Sequence, residues 1–314
     1  MSFVIKRVLI LPLLLLVMSF MTFLLTSVIP GDIAEDLILR QGGQPTPETI
    51  AVVQTELGLD QPLLVRYGSW LGQAIQLELG TSWVTDKPVV DEIVQRIGPT
   101  LLLTGASVLV GVVMTIVLGL LAAYYRDTII DRIILGFSLT ISCIPDFLLA
   151  FILLFLFAYV WDIFPLVGFG SWKHLVLPAL VLGVGLGAGK ARILRASILE
   201  VLNLNYISMA RSKGLSRRTV MFRHAMRNAL IPVVTSLGAS IGFLLGGTVI
   251  IESIFNWPGL GRLGLQAISA RDIPLLQGYV MFITLIIITI NLLVDIIYLY
   301  IDPRVKAKGG NRYV

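Results

Sequence analysis

Residues 101–125 read LLLTGASVLVGVVMTIVLGLLAAYY, twenty-five positions without one charged side chain. Wound as an α-helix this run is about 37 Å long, enough to cross the roughly 30 Å hydrocarbon core of a bilayer. A helix apolar on every face belongs either in lipid or at the centre of a large protein, and composition decides between the two. Of the 314 residues, 56% are hydrophobic and 14% charged, against about 45–50% and about 25% in soluble domains. The polar residues are too few to clothe soluble domains of that size, so the apolar sequence faces lipid or other buried helices.

Five more apolar stretches lie on either side of this one, at 8–29, 133–160, 175–189, 230–251 and 276–301. The stretch 175–189 is the shortest, and including it leaves every basic cluster on one side of the membrane. The expected fold is an all-α membrane protein with six transmembrane helices. It divides into an N-terminal helix (1–29), an external helical segment (30–100) and a core of five further spans (101–314). The first stretch follows Lys6 and Arg7, as in a secretory signal peptide. Its apolar run exceeds the roughly 7–15 residues of such a signal, and Ser27-Val28-Ile29-Pro30 offers no small-x-small cleavage site, so an uncleaved helix is expected.

Basic residues near the ends of spans stay on the cytoplasmic side. With the N-terminus inside, seventeen of the 24 lie in cytoplasmic segments: Lys6 and Arg7, Arg126 and Arg132, nine between Lys190 and Arg227, and four in the C-terminal tail. Both termini are therefore expected on the cytoplasmic side of the membrane. The external segment 30–100 carries ten acids and four bases. The net charge of +5 thus belongs to the membrane edge, and no nucleic-acid partner is implied.

The external segment reads as short helices. Thr46-Pro47 is an N-cap followed by proline at the first helical position, and that run closes at Leu57 before Gly58. A second run begins at Pro62 and ends before Gly80. Within it Leu63, Tyr67, Trp70, Leu71, Ala74 and Ile75 share one face. That face is suited to the membrane surface or a partner, and equally to the protein's own outer loops.

Several strings imitate catalytic motifs. Gly185-Leu186-Gly187-Ala188-Gly189-Lys190 resembles the end of a phosphate-binding loop. However, the first glycine of that pattern would fall on Val184 and its magnesium-binding hydroxyl on Ala191, and no strand precedes it. Gly183, Gly185, Gly187 and Gly189 instead form interleaved G-x-x-x-G spacings that let helices approach closely. Gly259-Leu260-Gly261-Arg262-Leu263-Gly264 is a literal G-x-G-x-x-G, but it follows Trp257-Pro258 with no βαβ unit around it, so its glycines are expected to shape a tight re-entrant turn. His174 and His224 fall on opposite sides of the membrane and Cys143 stands alone. No metal centre is legible, and an intramembrane Ser-His-acid enzyme is a poor second reading.

Ionisable groups inside spans persist only where they face a partner or water. Asp146 follows Pro145, whose ring kinks a helix. It is either a structural partner for freed backbone groups or a pathway residue touching substrate. Asn291 and Asp295 share one face of the last span with Tyr298, and helix-to-helix hydrogen bonding is expected there, with a pathway role as the alternative.

The most informative region is the basic segment 190–229. In Tyr206-Ile207-Ser208-Met209-Ala210-Arg211-Ser212-Lys213-Gly214-Leu215-Ser216 a short helix ends at a glycine, and a second helix carrying Arg217, Arg218, Phe222 and Arg223 follows. Such an elbow suits docking to a soluble partner.

Continued by Phe222-Arg223-His224-Ala225-Met226-Arg227-Asn228-Ala229-Leu230-Ile231-Pro232, that string resembles the cytoplasmic coupling loop of bacterial ABC importer permeases of the dipeptide, oligopeptide and nickel group. The resemblance extends to Lys6-Arg7, to Leu57-Gly58-Leu59-Asp60-Gln61-Pro62-Leu63, to the loop around Trp257-Pro258-Gly259-Leu260-Gly261, and to Asp295 with Asp302-Pro303-Arg304. It implies a six-span permease of the bacterial cytoplasmic (inner) membrane that pairs with a second, homologous permease, two cytoplasmic ATPases and an extracytoplasmic substrate-binding protein. ATP and magnesium would be held by the ATPases, with no cofactor in this chain. The residues it assigns to ATPase coupling are Ser208, Met209, Ala210, Arg211, Lys213, Gly214, Leu215 and Ser216. General importer permeases carry Glu-Ala-Ala, three residues, then Gly; here Ser208-Met209-Ala210 replaces the triplet and Gly214 keeps its place. The usual downstream Ile-x-Leu-Pro is not matched at His224 to Arg227.

Without a nucleotide loop, energy must reach this chain through contact with another. An ion-coupled carrier or channel is the alternative class, and it would show an inverted repeat or a file of acids across several spans, neither of which is evident. The short external Gly168-Phe169-Gly170-Ser171-Trp172-Lys173-His174 looks closer to nickel permeases than to peptide permeases. The favoured substrate at this level is therefore nickel or a nickel chelate, with dipeptides or oligopeptides as the alternative. A chelated metal needs no first-shell His or Cys in the permease.

Overall fold

The first span forms as helix α1, Ser2–Val28, in the computed structural model, which describes residues 2–28, 33–40 and 42–301. The side chains of Lys6, Arg7, Arg211, Asp295 and Tyr298, and all of Asp302-Pro303-Arg304, lie outside the described residues. Every described element is helical; the sole extended pairing among them is an isolated bridge between Thr81 and Pro88.

Three short helices follow α1: α2 (Ile33–Arg40), α3 (Pro47–Glu56) and α4 (Leu63–Ile75). The expected cap of α3 is present and reciprocal. Thr49 N–H donates to Thr46 Oγ1 (3.2 Å), and Thr46 N–H donates to Thr49 Oγ1 (2.9 Å), satisfying two amides that the helix end leaves free. The chain then turns through Gly58 in the left-handed region (φ 63°). α4 packs on α1, the protein's own membrane helix. Tyr67 meets Phe20 and Phe23 edge to face, and its hydroxyl hydrogen-bonds Ser19 Oγ (2.9 Å). The guanidinium of Arg66 sits 5.7 Å above the Phe23 ring, and burial lowers its pKa from the ordinary arginine value.

Helix α5, Val89–Tyr124, begins three turns before the charge-free run. Asp91 and Glu92 in its first turn favour a helix start through the macrodipole, and Val89 and Ile93 supply buried apolar contacts there. The stretch expected as one span at 133–160 is broken. α6 (Ile129–Cys143) and α7 (Asp146–Leu153, continued as a π-helical turn to Val160) meet at 107°. Pro145 explains the break: it lacks an N–H, and it biases Ile144 to extended backbone (ψ 124°). The fourth span is longer than expected, because α8 runs from Trp172 to Leu202 and takes Lys190, Arg192 and Arg195 into the helix. The Gly-rich stretch serves packing: a Cβ on Gly183 would collide with Val110, and one on Gly187 with Met114, both on α5.

Helices α9 (Asn205–Ser212) and α10 (Arg217–Thr219) form the elbow, and a π-helical turn (Val220–Ala225) leads into α11 (Met226–Ile254). α12 (Leu260–Ser269) and α13 (Ile273–Ile301) are the last described helices. Gly261 and Gly264 thus belong to a helix, not to the expected turn. A Cβ on Gly261 would lie 2.8 Å from the backbone of Val249, so close helix approach is what requires glycine there. Four described helices are individually long and apolar enough to cross a membrane, and the bent α6–α7 pair makes a fifth candidate; the stretch 230–251 lies within α11.

The chain forms two units: 1–96 with 263–286, and 97–262 with 287–314. The first is tied by Asp272, whose carboxylate accepts from Ser82 Oγ (2.5 Å) and Trp83 N–H (3.2 Å) and also from Leu275 N–H (3.2 Å) in the first turn of α13. The second contains two apolar cores, one around Trp257, Phe255 and Leu177, the other around Ile207, Met221 and Leu194.

Candidate coupling elbow and polar sites of the spans

The elbow is built on one inward-facing side chain. Ile207 of α9 is fully buried against Val220, Met221 and Ala225, which in turn pack on Leu194 and Ile198 of α8. Ala210 borders the same core, whereas Ser208, Met209, Lys213, Leu215 and Ser216 are exposed. Gly214 holds φ 80°, a left-handed conformation in which a Cβ is strained. Ser216 then caps α10, its Oγ accepting from Thr219 N–H (3.3 Å). Asn228 Nδ2 donates to the Tyr206 hydroxyl (2.8 Å), bracing α9 against α11. The Arg217 guanidinium donates to the Tyr124 carbonyl (2.5 Å) and lies 4.7 Å over the Tyr124 ring, bracing α10 against the end of α5. A cavity of about 460 Å³ opens beside these residues, with Arg126, Leu215 and Met221 in its wall.

The outward surface is unusual for a segment expected to sit in water. Met209 is 62% exposed and Phe222 55%, large apolar groups among Lys213, Arg218 and Arg223. A clamped backbone presenting an adaptable methionine and an aromatic is what a protein-binding surface requires.

A feature that sequence reasoning missed ties this region to the spans. Arg195 of α8 makes two hydrogen bonds to Asp131 of α6, Nε to Oδ1 and Nη2 to Oδ2, each 2.7 Å. Asp131 is buried and also accepts from Asp127 N–H (3.0 Å). Such a forked pair fixes orientation as well as distance. Only the helical phase of the two residues could have signalled it, since they lie 64 positions apart.

Among the pathway candidates, Asp146 opens α7 immediately after the break and is exposed on the chain. Its Oδ1 lies over Gly185 of α8, 3.2 Å from where a Cβ would be. Asn291 of α13 stands likewise over Gly242 of α11, its Oδ1 2.9 Å from the Cβ position, so a glycine admits the amide between two helices. Asp295 continues α13 one turn on. Asp146 thus stands on α7 and the other two on α13, and no described contact joins Asp146 to Asn291. Among the described residues no group of three or more His, Cys, Asp or Glu stands together as a metal site.

The other end of α11 carries a buried polar cluster that the sequence did not reveal. Glu252, fully buried, accepts from Thr100 Oγ1 (2.9 Å) through Oε1 and from Arg262 N–H (2.9 Å) through Oε2. Thr100 Oγ1 in turn accepts from Leu260 N–H (2.7 Å). Trp257, also fully buried, donates its indole N–H to the Pro99 carbonyl (2.9 Å). A Cβ on Gly259 would overlap the Glu252 carboxylate, which explains that glycine. The Gly168–His174 stretch joins this cluster: Gly168 N–H donates to the Phe255 carbonyl (2.9 Å), and Phe169 meets Trp257 edge to face at 4.8 Å.

Residues 115–307 match the family described as binding-protein-dependent transport system inner membrane component, and residues 1–104 match its N-terminal membrane-component family. The chain belongs to this family. The glutathione transport system permease protein GsiC of Escherichia coli O6:H1 is 40% identical over 307 residues, covering 98% of this chain and 99% of the relative. GsiC of Salmonella choleraesuis is 39% identical with the same coverage. Among solved structures, the MetNI methionine ABC transporter in an inward-facing conformation shares the fold at TM-score 0.54 and 18% identity, covering 67% of this chain and 95% of that one. An amino acid ABC transporter with histidines gives 0.53 at 17% identity, covering 73% and 97%. The binding-protein-dependent permeases are transport components of ABC importers, not enzymes, and they work with ATPases and a substrate-binding protein. This chain is such a multi-pass inner-membrane subunit.

Proposed function

We propose that this permease passes a short peptide of the glutathione type inward across the cytoplasmic membrane. In this reading it has six spans and cytoplasmic termini, and it pairs with a second permease and two ATPases. The observation that carries the substrate class is the 40% identity to a glutathione permease over nearly the full length of both chains. The stretch 168–174 pointed toward nickel, but its side chains serve local packing: Phe169 covers Trp257, and His174 Nδ1 engages Ser171 Oγ at 2.8 Å. A nickel chelate is therefore the second reading.

The mechanism follows from how the elbow is mounted. Met209 and Phe222 are the contact groups for the ATPases, and the exposed Lys213 and Ser216 accompany them. When ATP closes the ATPase pair, the push on α9 reaches Ile207, which is wedged between α8 and the π-helical turn opening α11. Close-packed side chains transmit displacement instead of absorbing it. The helices therefore exchange one packing for another, a population shift from outward-open to inward-open. Asp146, at the break between α6 and α7, lines the pathway and attracts the peptide's ammonium group.

Uptake of labelled glutathione, dipeptides and nickel chelates into vesicles holding the assembled importer and its binding protein tests the substrate class. Saturable, ATP-dependent uptake of the peptides is expected, and exclusive uptake of a nickel chelate overturns the reading. Orientation is tested separately with single cysteines at Gln54 and Ser216 in a chain lacking Cys143. An impermeant thiol reagent added to intact cells should label the first; labelling only the second reverses the topology.

A further inference from the structure

Helix α4 has more apolar surface than its contact with α1 uses. Tyr67 and Ala74 are buried and Trp70 packs near Phe23 of α1, which accounts for one face. On the flank beside that face stand Leu64, 70% exposed, and Ile75, 76% exposed, with Leu71 half-buried between them. Val65 lies further around and is 55% exposed. The opposite flank carries Arg66, Ser69 and Gln73. At 3.6 residues per turn these form separate stripes, so the helix has a protein-facing side, an apolar flank and a polar flank.

The position of α4 along α1 says what covers the apolar flank. α1 bears an apolar window at Ile10–Ser27, long enough to span the bilayer, and leaves Leu13, Val17, Met21 and Leu25 exposed there. Phe23, which the Tyr67 and Trp70 rings meet, is five residues before the end of α1 at Val28, or about 7 Å by helical rise. The Tyr67 hydroxyl reaches deeper still, to the carbonyl of Leu16 (3.2 Å). A helix crossing α1 at that level lies below the membrane surface, within the depth of about 5–10 Å at which amphipathic helices sit in the headgroup–acyl boundary.

We infer that α4 is a membrane-embedded interfacial helix: its Leu64, Leu71 and Ile75 flank inserts among the acyl chains of the leaflet at the Val28 end of α1, and Arg66, Ser69 and Gln73 face the headgroups. The occupant of the apolar flank is lipid. The helix thereby anchors the segment 33–88 to the bilayer. The depth argument uses α1 alone and holds whichever leaflet that end occupies, so it does not rest on the proposed orientation.

Spin labels on Leu64→Cys, Ile75→Cys and Ser69→Cys, each with Cys143→Ser, test this in the assembled importer reconstituted in phosphatidylglycerol–phosphatidylethanolamine vesicles. Collision rates with dissolved oxygen, which concentrates in acyl chains, are compared with those of water-soluble chromium oxalate. The labels at 64 and 75 should show an oxygen-to-chromium ratio several-fold above that at 69. Ratios equal to or below that of position 69 place the helix in water and overturn the inference. Labels at 64 and 75 screened from both reagents overturn it as well, by showing a protein over that flank.

Discussion

The two ends of α11 are built from similar punctuation and opposite surfaces. At one end a glycine, Gly214, and a capped turn lead into the helix. At the other, Trp257-Pro258-Gly259 leads out of it. Yet Met209 and Phe222 at the first end stand largely in the open, while Trp257 and Glu252 at the second are fully enclosed. The enclosed end is a clamp: its polar groups are saturated by partners in the same chain, which leaves nothing to offer another molecule. The open end has its backbone braced from three sides and its apolar side chains exposed, the arrangement expected of the proposed ATPase-docking surface. A permease that transmits force needs both, a rigid anchor for the helix and a surface on which to be pushed.

The comparison breaks most visibly if the clamp is opened. Glu252→Ala leaves Thr100 Oγ1 and the Arg262 N–H without their acceptor, and orphaned buried groups cost about 1–3 kcal/mol each, so a loss of about 4 kcal/mol is expected. The thermal midpoint of the purified permease and its level in membranes should both fall sharply; an unchanged midpoint would mean the cluster holds nothing together. Next in size is Arg195→Ala, which strands the Asp131 carboxylate in a buried site. Removing one partner of a buried pair costs about 3–5 kcal/mol, and partial exposure of Arg195 places this case at the lower end, about 3 kcal/mol. Denaturant unfolding of the variant beside the Asp131→Asn, Arg195→Gln double variant separates loss of the pair from loss of the charge, since the double variant should recover part of the stability.

Smaller effects sharpen the contrast at the open end. Gly214→Ala forces a Cβ into the left-handed region and should cost about 1 kcal/mol. Gly214→Pro cannot adopt that φ at all, because its ring holds φ near −65°, and should uncouple transport. Both are read by uptake together with ATP hydrolysis. Asp146→Asn is expected to leave stability and ATP hydrolysis unchanged and to impair uptake of a substrate bearing an ammonium group. Unchanged uptake kinetics over a range of substrate concentrations would remove that charge from the pathway.

The sequence made the open end legible and the clamp illegible, for a physical reason. An elbow is local: Tyr206 to Ser216 contains its helix, its glycine stop and its cap within a few turns, so spacing alone declares it. Glu252 is explained by Thr100, 152 positions earlier, and Asp131 by Arg195, 64 positions later; neither partner is visible until the helices are packed. The same limit applies to the third span, where Pro145 announced a kink but not its 107° angle. Likewise Gly261 and Gly264 serve helix packing where a turn was expected, and Gly259 leaves room for a carboxylate.

The central claim, that the open end receives the ATPases' force, is tested most directly by the double variant Met209→Ala, Phe222→Ala in the fully assembled, reconstituted importer. Truncating central contact residues typically costs about 1–2 kcal/mol or more each, so at least a tenfold loss is expected in binding-protein-stimulated ATP hydrolysis and substrate uptake. The thermal midpoint of the isolated permease should not move, since neither side chain packs in its core. Full uptake by the double variant, with hydrolysis and assembly intact, would contradict the account.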